Sequence, residues 1–178
     1  FEARSTTGAS LQVGSATEVN SFVALGCSFT GSTAFESRYG LRIRGGNNHR
    51  VIGCRVVNCT HGLVVHSGFD SQASGITVMG CEFLENTTLD FGNLGTAPDG
   101  GAEYAIHNLV YVDNYHMRGD VTPTDIINIT DTVGTSTGSM GGNLFANATN
   151  ASSVITIPAT ILYMANATEA GWSAARPA

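Results

Sequence analysis

The chain has 178 residues and a formal net charge of −6, with 42% hydrophobic and only 12% charged residues. This length suffices for one domain with a continuous core, and nothing in the composition requires a cofactor. The negative charge argues against a general nucleic-acid-binding protein, and the absence of a long apolar run argues against a membrane-spanning helix. We therefore expect neither nucleic acid nor membrane as a partner.

Three similar phrases follow one another: VALGCSF from Val23, RVIGCRV from Arg50 and TVMGCEF from Thr77. Their cysteines lie 27 residues apart. Apolar residues alternate with period two, so each phrase predicts one β-strand. The alternation predicts a core ladder of nine inward residues: Leu25, Ile52, Met79, Cys27, Cys54, Cys81, Phe29, Val56 and Phe83. Ala24, Val51 and Val78 are predicted to point outward.

A repeat that contains strands but no helical pattern is typical of one coil of a solenoid. Equivalent strands of successive coils would then pair in parallel, about 4.8 Å apart. The segments YGLRIRG (39–45) and HGLVVHS (61–67) predict a further strand in each coil. We expect the cysteines to be free thiols inside the coils, with a disulfide between adjacent coils as the alternative.

The phrase continues in altered form toward the C-terminus. VYVDNYHM (110–117) keeps the apolar alternation with Asn114 at the cysteine position, and MGGNLFANA (140–148) keeps the sequence Gly-Asn-Leu-Phe. The segments 124–133 and 152–164 are also strand-like, whereas no period is visible from Ala165 onward. The predicted organisation is parallel coils over 1–117, a C-terminal β region of further coils or a small β domain over 118–164, and an irregular tail over 165–178.

The repeated phrases with their Asn, Gly and Thr turns resemble the right-handed parallel β-helix of the pectate-lyase-like superfamily, which includes polysaccharide lyases, phage tailspikes and other virion proteins. The resemblance covers residues 20–117 closely and 118–164 loosely. It implies an all-β fold, a right-handed parallel β-helix with coils of about 27 residues followed by a less regular C-terminal β region. The second half of the chain is similar to C-terminal regions of phage virion proteins attached to heads or tails. The resemblance also implies a homotrimer.

The lyase chemistry of this superfamily needs clustered acidic Ca²⁺ ligands and an Arg or Lys base. Here the sequence contains no Lys and its carboxylates are scattered. A hydrolase would need two carboxylates about 5 to 9.5 Å apart. Stacking of coils would bring Glu82 or Glu85 toward Asp113. The simpler interpretation is that all three side chains point outward and are solvated. We predict no catalytic residue.

The histidines and Cys59 suggest one further hypothesis. Cys59, His61 and His66 would supply three zinc ligands, but no second ligand pair of recognised spacing accompanies them. His49, His107 and His116 stand singly and are predicted to lie in turns or on the surface. We therefore predict no metal and no cofactor-binding residue.

Five of the eight basic residues lie within 18 positions of one another. We predict partner binding by four of these arginines and by the single tryptophan: Arg38, Arg42, Arg44, Arg55 and Trp172. A solvated face is the alternative interpretation. The tripeptide Arg118-Gly119-Asp120 occurs in integrin ligands, but such a short string also arises by chance.

Together these features favour a non-enzymatic structural protein of a bacteriophage virion. We expect a capsid decoration or cement protein that forms a homotrimer and binds the major capsid protein or another virion protein, on the capsid surface rather than the tail. The alternative is a tailspike or a carbohydrate-active β-helix that binds a cell-surface glycan, with Tyr39 and Phe69 as sugar platforms. A secreted bacterial adhesin of the same fold is a third hypothesis.

Overall fold

The computed structural model describes residues 2–4, 9–13, 19–31, 39–65, 73–93, 105–117, 125–130, 134–146, 154–163 and 167–168. Over these residues the chain is all-β and contains no helix. The strands are β1 (Glu2–Arg4), β2 (Ala9–Val13), β3 (Val23–Leu25), β4 (Ser28–Thr30), β5 (Tyr39–Ile43), β6 (Gly46–Asn47), β7 (Arg50–Ile52), β8 (Arg55–Val57), β9 (His61–Val65), β10 (Ala73–Ser74), β11 (Thr77–Met79), β12 (Glu82–Leu84), β13 (Leu89–Asn93), β14 (Ile106–His107), β15 (Leu109–Val112), β16 (Tyr115–Met117), β17 (Asp125–Asn128), β18 (Gly138–Gly141), β19 (Leu144–Ala146), β20 (Val154–Thr156), β21 (Ile161–Tyr163) and β22 (Ala167–Thr168).

The strands form four sheets in which every described strand pair is parallel. Sheet A has the order β1-β4-β8-β12-β16-β19-β22, and sheet B has the order β2-β5-β9-β13-β17-β20. Sheet C has the order β3-β7-β11-β15-β18-β21, and the small sheet D has the order β6-β10-β14. Neighbouring strands of a sheet come from successive turns of the chain around the core. We call each such turn a coil. The predicted parallel strands are confirmed, and the arrangement is compatible with a β-helix-like fold.

A sharp bend separates sheet C from sheet A in each coil. Gly26, Gly53 and Gly80 occupy it with φ of 60°, 59° and 61°. Asp113 and Gly142 take the same place in later coils, with φ of 56° and 66°. This left-handed region is unfavourable for residues with a Cβ, which explains why each of the three phrases has a glycine at this position. Each phrase is therefore two short strands rather than the single strand that its alternation predicts.

The bend reverses the predicted faces of the strand that precedes it. Leu25 is 70% exposed, Met79 is 38% exposed and Ile52 is half-buried, so the prediction that these three residues point inward is wrong. The residues predicted to point outward are instead buried: Ala24, Val51 and Val78. The physical reason is that a left-handed residue interrupts the two-residue alternation, so the strands on its two sides are out of phase.

Beyond the bend the predicted inward residues lie in the interior. Phe29, Val56 and Phe83 are fully buried in one continuous core cluster. Cys54 and Cys81 are buried in the same cluster, and Cys27 is half-buried against it. All four cysteines are free thiols. Inward residues of successive coils thus stack into columns.

The C-terminal strands extend the same sheets. Strands β17 and β20 pair onward from β13 in sheet B, and β18 and β21 pair onward from β15 in sheet C. Strand β22 pairs with β19 in sheet A, although residues 167–168 fall in the segment predicted to be irregular. The domain boundaries after residues 117 and 164 remain predictions.

Candidate functional site

The outer face of sheet C carries a column of apolar side chains across four adjacent strands. Leu25, Ile52, Met79 and Val112 lie opposite one another in register. Leu25 and Met79 are exposed, while Ile52 and Val112 are half-buried. Apolar side chains in this arrangement form one contiguous strip rather than scattered surface residues, and such strips mark contact surfaces.

A second column lies two residues earlier on the same face. It contains Val23, Arg50, Thr77, Val110, Ser139 and Leu162. Val23 is 56% and Leu162 is 65% exposed. Arg50 is the single charged residue among these two described columns. We call the two columns together the sheet C face.

The structure divides the predicted arginine cluster between different surroundings. Arg42 is buried on sheet B, where its guanidinium carbon lies 5.2 Å from the centroid of the Tyr39 ring and its Nη1 donates to Gln12 Oε1 at 3.3 Å. Arg44 is half-buried. Arg55 is on sheet A, exposed, with its Nε 3.3 Å from Glu82 Oε2. Of the four arginines predicted to bind a partner, Arg55 is therefore the one that is exposed in the described residues, and Arg50, the fifth arginine of the cluster, is also exposed, on sheet C. A surface pair such as that of Arg55 and Glu82 contributes little to stability.

Arg38 and Trp172, also predicted to bind a partner, lie outside the described residues, as do His66, Phe69 and residues 118–120.

A connected set of polar side chains lies in the interior, between the coil that contains β12 and β13 and the coil that contains β15 and β16. Asp90 Oδ2 is 2.9 Å from His116 Nδ1, and His116 Nε2 is 3.0 Å from the Tyr111 hydroxyl. Asn86 Nδ2 donates to Asp90 Oδ1 at 2.9 Å, and Asn86 Oδ1 accepts the backbone N–H of Cys59 at 3.0 Å. We call Asn86, Asp90, Tyr111 and His116 the buried network. All four side chains are buried.

The proton positions in the buried network follow from the chemistry of its members. Burial, followed by the nearby Asp90 carboxylate, raises the pKa of Tyr111 well above its ordinary value. Tyr111 therefore keeps its proton and shares a hydrogen bond with His116 Nε2. Because a carboxylate only accepts, Nδ1 of His116 carries a proton and donates a hydrogen bond to Asp90. Both ring nitrogens and both carboxylate oxygens then have a partner.

His116 is also held by aromatic stacking. Its ring centroid lies 5.1 Å from that of Phe83 and 4.7 Å from that of Phe145, with interplanar angles of 9° and 16°. The prediction that His116 lies in a turn or on the surface is wrong, whereas His49 is buried but lies in the short connection between β6 and β7. A tyrosine, histidine and carboxylate in series resemble a proton relay, but a relay that is buried on every side cannot touch a substrate. The buried network is structural.

The interior column after the bend changes from sulfur to amide along the chain. Cys27, Cys54 and Cys81 are followed in register by Asn114 and Asn143. The backbone N–H of Cys81 donates to Asn114 Oδ1 at 2.9 Å, and that of Asn114 donates to Asn143 Oδ1 at 3.0 Å. The backbone N–H of Cys27 points in the same way to Cys54 Sγ, at 3.4 Å. In these three pairs the side chain of one coil accepts a hydrogen bond from the backbone of the coil before it.

The hypothesis of a zinc site finds no support from the described part of its ligands. Burial raises the pKa of Cys59 to about 12, whereas zinc binds the thiolate. His61 stacks on Tyr39 with ring centroids 5.3 Å apart. Among the described residues no group of three His, Cys, Asp or Glu side chains could hold a metal ion.

The residues proposed for carbohydrate chemistry are also dispersed. Tyr39 is buried and so offers no sugar platform. Glu82 pairs with Arg55, whereas Glu85 and Asp113 occupy bends at opposite ends of sheet A. Asp113 takes the register place of Gly80, five residues before Glu85, so the two positions lie up to about 16 Å apart along the strand direction.

Comparison of the chain with protein-family models, with curated proteins and with solved structures finds no match. Over the part of the chain that the structure describes, no helix is long and apolar enough to cross a membrane.

Replacing Cys54 with serine is expected to lower the free energy of unfolding by about 1–3 kcal/mol, because a buried hydroxyl would replace a thiol in an apolar column. Urea denaturation followed by circular dichroism measures the loss. The matched control is Cys27→Ser, whose half-buried side chain should tolerate the hydroxyl better. Equal losses in the two variants would contradict the inward placement of Cys54.

Proposed function

We propose that this chain is a non-enzymatic structural protein of a bacteriophage virion, a capsid decoration protein that forms a homotrimer and binds the major capsid protein. Its fold in this proposal is a right-handed parallel β-helix of the pectate-lyase-like kind. The repeated phrases and the parallel sheets with one strand from each coil support the fold. The proposed function rests on one observation, the exposed apolar side chains of the sheet C face.

The sheet C face would be costly to leave in water. Full burial of one leucine or valine side chain contributes about 1.5–3 kcal/mol, and Leu25, Leu162 and Val23 are all more than half exposed. The face is built from six strands in register, so it is regular and presents a continuous surface. With a single arginine it suits another apolar surface better than a charged polymer or a glycan.

A homotrimer would bury the sheet C face of every protomer. If the sheet C faces of three protomers turn toward a common axis, each chain contacts two neighbours and the symmetry closes the assembly. Stable interfaces bury about 800 Å² per partner, and contributions from two neighbours help to reach that area. The outer ends of the trimer then remain for attachment to the capsid.

The double variant Leu25→Asp/Met79→Asp is expected to convert the trimer to a monomer, because two charges in one column cannot be buried without partners. Sedimentation velocity should give three times the mass of the 18.5 kDa chain for the unchanged protein and a single chain for the variant. The control is Asn58→Asp, which adds an exposed carboxylate at the bend that follows β8 of sheet A. A monomeric unchanged protein, or a trimeric double variant, would contradict assembly through this face.

Attachment to a virion is tested by copy number. Quantitative mass spectrometry of purified particles from the source would compare this chain with the most abundant capsid protein. A comparable number of copies is the expected result for a decoration protein. A handful of copies would point to the tail, and absence from particles would contradict the proposal and favour a secreted, carbohydrate-active protein.

A further inference from the structure

One arginine of the sheet C face has no partner in the described part of its own chain. Arg50 lies on β7 and is exposed, and its guanidinium makes no hydrogen bond or ion pair with any described residue. Arg55, by contrast, pairs with Glu82, and Arg42 donates to Gln12. A guanidinium carries five N–H donors and a fixed positive charge, so Arg50 is available to an acceptor from outside the chain.

The surroundings of Arg50 contain no counter-charge. Its neighbours in the same column are Val23 and Thr77, and Ile52 lies beside it in the next column. Neither column contains an aspartate or a glutamate over the residues that the structure describes. Asp113 lies at the bend beside these columns, but two coils away from β7, which is about 10 Å along the stack. A second copy of the same face therefore brings no carboxylate to Arg50.

The homotrimer proposed above, on which this site depends, brings three copies of Arg50 together. Three-fold symmetry places them at one level around the axis. Packed sheets lie about 10 Å apart, so each sheet C would be about 5 Å from the axis, and the long arginine side chains reach it. Three positive charges in an apolar interface are strongly unfavourable unless a negative charge accompanies them.

We propose that the three Arg50 side chains of the trimer bind one tetrahedral oxyanion, phosphate or sulfate, on the three-fold axis. Arginine recognises such anions through paired N–H donors. A tetrahedral oxyanion has three-fold symmetry itself, so three of its oxygens face the three guanidinium groups equivalently. Thr77, one strand spacing of about 4.8 Å away in the same column, supplies a further hydroxyl donor from each protomer.

The arrangement favours a small divalent anion over other acceptors. A divalent anion offsets two of the three positive charges, whereas chloride offsets one and accepts no paired hydrogen bonds. The site lies between three protomers, so an anionic polymer such as a nucleic acid or an acidic polysaccharide cannot enter it. The ligand is therefore a free inorganic ion.

The test is titration calorimetry and sedimentation velocity of the unchanged protein in chloride buffer, with and without inorganic phosphate at equal ionic strength. Phosphate should bind with a stoichiometry of one ion per three chains. At about 100 times its dissociation constant, phosphate should raise the association constant of the trimer about 100-fold, because the ion binds the trimer and not the monomer. One ion per chain, or a trimer whose stability does not depend on phosphate, would overturn the site.

The variant Arg50→Met keeps a long side chain and removes the charge. It should form the trimer without phosphate and show no dependence on phosphate, because the three charges that need the ion are gone. The control is Arg55→Met, which removes an exposed arginine of sheet A and should retain the full phosphate effect. A phosphate effect that persists in Arg50→Met would overturn the proposal.

Failure of the anion site and failure of the trimer give different results. A trimer that is insensitive to phosphate contradicts the anion site alone, and the sheet C face remains the proposed interface. A chain that is monomeric both with and without phosphate contradicts the trimer and the site together. A monomer that becomes a trimer when phosphate is added supports both.

Discussion

Replacement of Asp90 with alanine is expected to lower the free energy of unfolding by about 3–5 kcal/mol, the usual loss when one partner of a buried, hydrogen-bonded pair is removed. Without the carboxylate, the Nδ1–H of His116 and one N–H of Asn86 lose their acceptor in the interior. Equilibrium unfolding in urea measures the loss. The control is Glu82→Ala, which removes an exposed carboxylate and should cost no more than about 1 kcal/mol.

The other coils suggest how to repair this variant. Gly40 and Gly62 occupy the register position of Asp90, and Phe83 and Phe145 flank His116 in its column. The triple variant Asp90→Gly/His116→Phe/Tyr111→Phe should therefore be more stable than Asp90→Ala alone, because it leaves no histidine or tyrosine without its partner and retains only Asn86 of the buried network, which still donates to the carbonyl oxygen of Val56. A triple variant that is less stable than Asp90→Ala would show that the buried network is worth more than an apolar filling.

Replacement of Phe83 with alanine is expected to cost about 3–5 kcal/mol, because it removes a fully buried ring and leaves a cavity. The ring stacks on His116 and lies 6.3 Å from the centroid of Tyr111, so the cavity would open beside the buried network. Thermal and urea unfolding both report the change. Val56→Ala in the same column is the control.

The smaller side chain of Val56 should give a smaller loss, since fewer buried carbons are removed. A loss at Val56 equal to that at Phe83 would mean that the core does not depend on the aromatic stack. It would also remove the argument that stacking helps to position the His116 ring.

The 27-residue spacing was enough to predict parallel strands in stacked coils. It was not enough to predict the faces of those strands, because the hydrophobic pattern does not record φ. The glycine inside each phrase was the available signal, since an isolated glycine in a strand pattern indicates a bend or a bulge. Treating Gly26, Gly53 and Gly80 as bends gives the orientation that the structure has.

The same error hid the candidate surface. An alternation continued through the bend assigns Leu25, Ile52 and Met79 to the core, so no exposed apolar column is expected there. Once the bend is included, the strand before it turns over and these residues form part of the sheet C face. The φ angle of the bend residue thus decides whether the strand before it is predicted to place these apolar residues in the core or on a contact surface.

The buried network was only half visible in the sequence. Placing Asn114 at the cysteine position also places His116 in the column of Phe83, which indicates burial. Its partner Asp90 lies 26 residues earlier, on a different sheet, and no local pattern connects the two. Hydrogen bonds between coils depend on how strands of separate sheets face one another, which period and composition do not record.

The pair of Asp90 and His116 has a consequence for how the chain finds its fold. Repeats of nearly equal sequence can be aligned wrongly, with one coil left out. If β12 paired with β19 instead of β16, Phe83 would meet Phe145 instead of His116, and Cys81 would again meet an asparagine. Asp90 would keep Asn86 but lose His116, at a cost of several kcal/mol. The buried network therefore marks one coil as distinct from the others and penalises chains that skip it.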